Sequence, residues 1–128
     1  GMIDHAIRMN TKLPYSEDHD SATLDYCRLH GITIQAWSPF QYGLIEGTYI
    51  DHPDFPGLNA ALEAVGQKYG ITKNGAVAAW IARHPAKIQV IAGTVNTQRL
   101  REIAAGMDIP LSREDWYRIY TSEGRDLP

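Results

Sequence analysis

The sequence predicts an α/β fold that is predominantly helical, carries two short parallel strands, and reads as a slice of something larger. Two observations carry this. Two short apolar runs, each closed by turn residues, are separated by helix-patterned stretches, which is the arrangement of βαβ units and a parallel sheet. Yet five helical stretches accompany only those two strands. A parallel sheet is worth burying only with helices over both faces and more than one pair of strands.

The elements follow in order. Residues 1–20 are weakly patterned, and residues 12–20 set Pro14 among acidic and polar side chains, so 1–20 reads as a loop or mobile arm. Ser21 caps a helix that runs to about His30, with Ala22, Leu24, Tyr26 and Cys27 on an apolar side and Gly31 as its stop. Residues 32–37 (ITIQAW) form the first strand, which ends at Ser38-Pro39 because Pro39 has no N–H for a ladder. A long loop over residues 40–56 holds Gly43, Gly47, Pro53 and Pro56; loops of that length in compact domains usually bind something. Leu58, Leu62, Val65 and Tyr69 recur at helical spacing before Gly70.

Thr72 caps the next helix, which carries Val77, Trp80 and Ile81 and ends before Pro85. Residues 87–92 (KIQVIA) are the second strand, closed by Gly93-Thr94. Asn96 or Thr97 opens a third long helix with Leu100, Ile103 and Ala104 inside it. Ser112 caps the last, whose first turn holds Glu114 and Asp115, where the helix dipole favours negative charge.

Composition bounds the function. With 44% hydrophobic and 21% charged residues the chain is of ordinary globular make-up, so disorder is not expected. Its 12 basic and 15 acidic residues are interspersed, which argues against the clustered basic face that nucleic acid requires. A single cysteine, Cys27, excludes an internal disulfide and fits a reducing cytosol. No apolar run approaches the roughly 18 residues of a membrane span, and no signal peptide opens the chain, so the expectation is a cytoplasmic protein without a membrane partner. Gly1 before Met2 has the form of a residue left by tag removal, which makes Met2 the expected encoded start.

Three segments together resemble the aldo/keto reductase family. AWSPFQYGL (residues 36–44) is similar to that family's seventh strand and its Ser-Pro turn. VIAGTVNTQRLRE (90–102) is similar to its eighth strand and following helix, and LSREDWYRIY (111–120) to the helix after the barrel closes. The alanine-rich GAVAAWIARHP sits where the family places its seventh barrel helix. Order and spacing agree from about residue 20 to the end. The resemblance implies a partial (β/α)8 barrel, with residues 21–128 as the C-terminal part of an aldo/keto reductase barrel in one domain.

The residues allow the function that the resemblance names. In such barrels function sits on loops at the C-terminal ends of the strands, where Ser38-Pro39-Phe40 and Gly93-Thr94 both fall. Thr94, Asn96 and the amides of residues 95–98 stand at a helix N-terminus, a ready anion site, with Arg99 one turn in. The resemblance implies that Ser38, Pro39 and the Phe40 amide meet a cofactor pyrophosphate and that Trp37 stacks on the nicotinamide. It likewise implies that Gly93, Thr94, Asn96 and Arg99 surround an adenosine 2′-phosphate and that Glu102 meets the adenine edge.

NADP is therefore expected ahead of NAD, although Gly93 stands where the family often has Lys, Ala92 where it often has Pro, and Ile103 where it has Asn. The family's Asp, Tyr, Lys and His tetrad lies on its first four strands, and this chain starts at or after the end of the sixth. No catalytic residue is assigned, and the expected function is an NAD(P)H-dependent oxidoreductase fragment that is inactive alone.

Taken alone, several of these residues have plainer readings. Ser38 and Thr94 are common turn residues, Arg99 a solvated helix residue, and Trp37 a strand-end core residue. Residues 51–54 (DHPD) lack a third fixed ligand and read as polar loop, with no metal site expected. Cys27 reads as a buried small hydrophobe, and Trp80 and Trp116 as packing residues. The alternative of a different class is a non-catalytic assembly module. A partial barrel leaves strand edges that seek a homo-oligomeric partner or a complementing N-terminal fragment. A truncated product without a selected function is a third reading.

Overall fold

The computed structural model describes residues 22–42, 46–122 and 124. The expected arm at residues 1–20 lies outside them. In chain order the elements are α1 (Ala22–Leu29), β1 (Gln35–Ala36), β2 (Gln41–Tyr42), β3 (Gly47–Thr48), α2 (Pro56–Tyr69), α3 (Lys73–Ala82), β4 (Gln89–Val90), α4 (Thr97–Met107) and α5 (Arg113–Thr121).

β1 and β4 pair in parallel, Gln35 opposite Gln89 and Ala36 opposite Val90, as the βαβ reading expects. Bonds from Gln89 N to Ile34 O (2.9 Å) and from Ile91 N to Ala36 O (3.1 Å) frame the ladder. The chain between them supplies α2 and α3, the crossover that parallel pairing requires. The two six-residue runs thus yield a ladder of only two residue pairs. The expected loop over residues 40–56 needs correction: it contains a small antiparallel pair, Gln41 opposite Thr48 and Tyr42 opposite Gly47. Gly47 takes φ of +113°, a backbone conformation open to glycine and strained for other residues.

Helix ends follow local chemistry. Pro56 stands at the start of α2, where its missing N–H costs nothing, and Gly70 closes it at φ +68° with its N–H on Gly66 O. Thr72, Asn96 and Ser112 cap α3, α4 and α5, each side chain accepting from the amide three residues on. α3 is buried all round from Gly75 to Ile81, as a helix apolar on every face should be. It packs against α2, α4 and β4, with Leu62, Val65, Val77, Trp80, Ile81 and Ile103 in the core. α3 and α4 approach so closely that a Cβ on Gly106 would lie 2.0 Å from Gly75 O.

α5 is fastened by aromatic and ionic contacts. Trp80 and Trp116 stack at 4.8 Å, and each indole N–H donates to the other residue's carbonyl at 3.0 Å. Both are packing residues, as expected. Asp115, expected only to favour the helix dipole, is also the anchor of α5, with 1% of its surface exposed. Its Oδ2 accepts from Lys68 Nζ (2.6 Å), Ser112 Oγ (2.7 Å) and Tyr69 Oη (2.8 Å). Tyr69 Oη in turn accepts from the Ser112 amide (3.0 Å). Cys27, expected to be buried, is half-buried, because α1 lies on the surface with Tyr26 and Leu29 exposed. No helix among the described residues is long and apolar enough to cross a membrane.

Burial alone raises the Asp115 pKa, but the bonds from Lys68, Ser112 and Tyr69 outweigh it and hold the carboxyl at about 2. The folded value lies below the ordinary 3.8, so this stabilisation is fully present above pH 3.8 and is lost as pH falls towards 2. Urea unfolding of the wild type is expected to show falling stability across that window. Asp115→Asn is expected to be less stable at neutral pH and flatter through the window.

Candidate cofactor cleft

Because β1 and β4 run parallel, both chains leave the ladder at the same edge, and the segments that follow face each other there. After β1 comes the turn Ser38-Pro39-Phe40, closed by a bond from Gln41 N to Ser38 O (3.1 Å). Ser38 sits at φ +48°, a left-handed conformation that a non-glycine residue adopts at some cost and that collects at functional sites. Beneath the turn, the fully buried Tyr49 donates its hydroxyl to Pro39 O (2.8 Å). Burial raises the Tyr49 pKa, so the phenol stays a neutral donor.

Tyr49 is itself tied down. Asn59 on α2 donates to Tyr49 O (2.9 Å) and Phe55 O (2.9 Å), and its Oδ1 accepts from the Asp51 amide (2.7 Å). Asp51, at φ +61°, pairs with Lys73 at the start of α3.

After β4 come Gly93, at φ +61°, and Thr94, whose Oγ1 accepts from the Asn96 amide (3.2 Å). Asn96 Oδ1 accepts from the Arg99 amide (3.0 Å) and so caps α4. The side chains of Thr94 and Asn96 thus shape the entry to α4, and two of its terminal amides are already partnered within the chain. Arg99 follows in the first turn.

Between the two segments lies a cleft of about 560 Å³. Six of the nine sequence-derived candidates line it: Ser38, Pro39, Phe40, Gly93, Thr94 and Arg99. Trp37, Asn96 and Glu102 do not. Asn96 serves from behind as the cap. Trp37, read on its own as a core residue, is instead 62% exposed at the end of β1. Glu102 lines an adjoining groove of about 830 Å³ that shares Ile50, Asp51 and Asn74 with the cleft. There Glu102 Oε2 accepts from Asn74 Nδ2 (2.8 Å) and Thr72 Oγ1 (3.2 Å), and Oε1 from Gln98 Nε2 (3.2 Å). The Asn74 bond leads in lowering its pKa, with Gln98, Thr72 and Arg99 adding to it against partial desolvation.

Sequence reasoning missed Asn74 and the hairpin residues Gln41 and Thr48, which also line the cleft. Asn74 lies just after a helix cap with no motif around it. The hairpin pair was hidden by the expectation of a loop. Residues 51–54, read as polar loop, hold His52 against Tyr42 Oη (2.9 Å), with its Nδ1 accepting from the Asp54 amide (3.2 Å). Among the described residues no group of acidic, histidine or cysteine side chains is arranged to hold a metal.

Parallel strands with a crossover between them, and a polar cleft at their C-terminal edge beside a capped helix N-terminus, define a protein of the α/β class. The chain belongs to the aldo/keto reductase family, whose family model matches residues 3–122. The match reaches further towards the start than the resemblance read from residue 20. The chain is 34% identical over 121 residues to a 6-dehydroglucose reductase of Agrobacterium fabrum, covering 94% of this chain and 38% of that protein. It is 30% identical over 110 residues to a 6-dehydroglucose reductase of Novosphingobium aromaticivorans, covering 85% of this chain and 36% of the other. An oxidoreductase of Bacillus subtilis is 32% identical over 110 residues, at 83% and 35% coverage. The chain therefore spans well under half the length of these relatives.

Tyr49→Phe removes the hydroxyl that satisfies the buried Pro39 carbonyl. It is expected to destabilise the chain by about 1–3 kcal/mol in urea unfolding, with protection from hydrogen exchange lost first around residues 38–42.

Proposed function

We propose that this chain is the C-terminal part of a (β/α)8 barrel and carries the pyrophosphate and adenosine end of an NADP(H) site. The carrying observation is the cleft that gathers Ser38, Pro39, Phe40, Gly93, Thr94 and Arg99 from two separate strand ends. The fit is chemical. Arg99 offers a fork of N–H donors for a phosphate, and the N-terminus of α4 adds its positive dipole end. Gly93 at φ +61° presents backbone without a side chain, which suits close approach of an anion.

In this reading Ser38 and the Phe40 amide hold the pyrophosphate, and Arg99 and Thr94 hold the 2′-phosphate. Asn96 fixes the helix entry, and Glu102 in the adjoining groove meets the adenine edge. Trp37, exposed just after β1, offers a face for the nicotinamide. The bound cofactor supplies the hydride; these residues bind and orient it. Proton delivery to a carbonyl belongs to the Asp, Tyr, Lys and His of the family's earlier strands, which these residues do not include. The 128-residue chain alone is proposed to bind cofactor without reducing carbonyls, and the activity of a whole reductase to require those strands.

One observation favours a second reading beside this one. Ile32, Trp37, Ile91 and Val95 are exposed around the two-stranded sheet, 37% or more of each surface being open to solvent. An apolar rim of that kind suits assembly, either with a second copy or with an N-terminal barrel fragment. A mass above the monomer in light scattering is the outcome that reading expects, and a monomer at all concentrations contradicts its homo-oligomeric form.

Calorimetric titration tests the first reading. NADPH is expected to bind the chain more tightly than NADH, and Arg99→Ala to weaken NADPH about tenfold or more while leaving NADH nearly unchanged. Equal loss for both cofactors would remove Arg99 from the 2′-phosphate. No binding of either would leave the assembly reading or no selected function.

A further inference from the structure

A second cleft lies at the other end of α3. Lys73 and Asn74, at the start of that helix, border the grooves described above; Arg83 and His84 follow its end, about 15 Å away along the axis. There Arg83, His84 and Pro85 face Arg113, Trp116 and Tyr117 of α5 across a space of about 410 Å³. This falls in the size range of small-molecule sites. No carboxylate is found among its described lining residues, although the chain as a whole carries a net charge of −3.

The walls are fixed before any ligand arrives. Arg83 Nε donates to Leu111 O (3.0 Å), which holds the guanidinium plane and leaves its terminal nitrogens for other partners. Trp116 is pinned from behind by its stack and reciprocal hydrogen bonds with Trp80, and Tyr120 lies nearly parallel to it at 5.5 Å. Arg113 rests over the Tyr117 ring, its guanidinium carbon 5.7 Å from the centroid. His84 Nδ1 accepts from the Ala86 amide (3.1 Å), which puts the imidazole's own N–H on Nε2. Burial first, and the charge of Arg28 second, lower the His84 pKa, so the neutral donor form prevails at pH 7.

From this juxtaposition of two guanidinium groups, an imidazole N–H and two aromatic rings in one pre-set cleft, we infer a binding site for a small organic anion that carries a planar ring. The arginines and His84 take the carboxylate or phosphate, and the ring lies against Tyr117 and the edge of Trp116 that the stack leaves on the cleft. Arginine forks match planar oxyanions, and aromatic faces supply apolar area with little entropy to lose. The site is separate from the proposed cofactor cleft and stands or falls independently of it.

The probes are benzoate and phenyl phosphate, with inorganic phosphate as the ringless control, titrated into the 128-residue chain by calorimetry and by the NMR signal of the Trp116 indole N–H. Saturable binding of the ring-bearing anions is expected, with a shift of that signal and at least about tenfold weaker binding of inorganic phosphate. Arg113→Gln, at an exposed position, is expected to weaken the ring-bearing anions about tenfold without altering the near-ultraviolet signature of the Trp80–Trp116 stack. If that variant loses the stack, Arg83→Lys gives the same reading with the positive charge kept and the fork removed. Absence of saturable binding up to about 10 mM, equal binding of inorganic phosphate, or indifference to both substitutions overturns the inference.

Discussion

The contact of Gly75 with Gly106 sets the geometry on which the rest depends. A side chain at residue 106 would collide with the carbonyl of residue 75, and one at residue 75 would press on Glu102 O at 3.0 Å and Ile71 Cβ at 3.1 Å. With no side chain at either position, α3 and α4 come to backbone contact. That approach brings Glu102 onto Asn74 and Thr72, and it sets the start of α4, with Arg99, opposite the Ser38 turn. A wider spacing between these helices would open the cleft and separate the two grooves. Overpacking of this kind ordinarily costs about 1–3 kcal/mol, and here it would act on the site as directly as on stability.

The second constraint is that α3 has no solvent face. A helix buried from Gly75 to Ile81 needs neighbours on every side, and α2, α4, α5 and the two-stranded ladder provide them. The reciprocal Trp80–Trp116 bonds and the Asp115 cluster secure α5 without a long interface. The same fastening that completes the core also stiffens the walls of the aromatic and cationic cleft at the end of α3. The proposed cofactor cleft is braced differently. Its turn rests on Tyr49, Tyr49 on Asn59, and the loop end on the Asp51–Lys73 pair, so three elements share the positioning of a turn held at a positive φ.

What the sequence made legible was what local chemistry decides. Thr72, Asn96 and Ser112 are caps because a side-chain oxygen meets an amide three residues away, and that relation needs no tertiary information. Pro39 and Gly70 end their elements for equally local reasons. The two parallel strands were visible as apolar runs, though their ladder proved shorter than the runs. Partnerships across long stretches of chain were not legible. Nothing near Gly75 announces Gly106, nothing near Asp115 announces Lys68, and Asn74 joins the cleft only through the folding of α3 onto α4. The β2–β3 pair escaped because two-residue strands carry no periodicity. Of the nine cofactor candidates, the six that meet in the cleft sit at strand ends and in the turn leading to or just inside α4. Trp37 was misjudged as a core residue on its own merits because a tryptophan ending a strand gives no sign of which face it takes.

Chemical-shift mapping of the backbone amides during an NADPH titration asks whether the two strand ends of this chain build the proposed dinucleotide site. Saturable shifts confined to residues 38–41, 93–99 and the neighbourhood of Asn74 and Glu102 are expected, with α5 unaffected. Shifts scattered over the surface, or centred on residues away from both strand ends, would contradict that proposal.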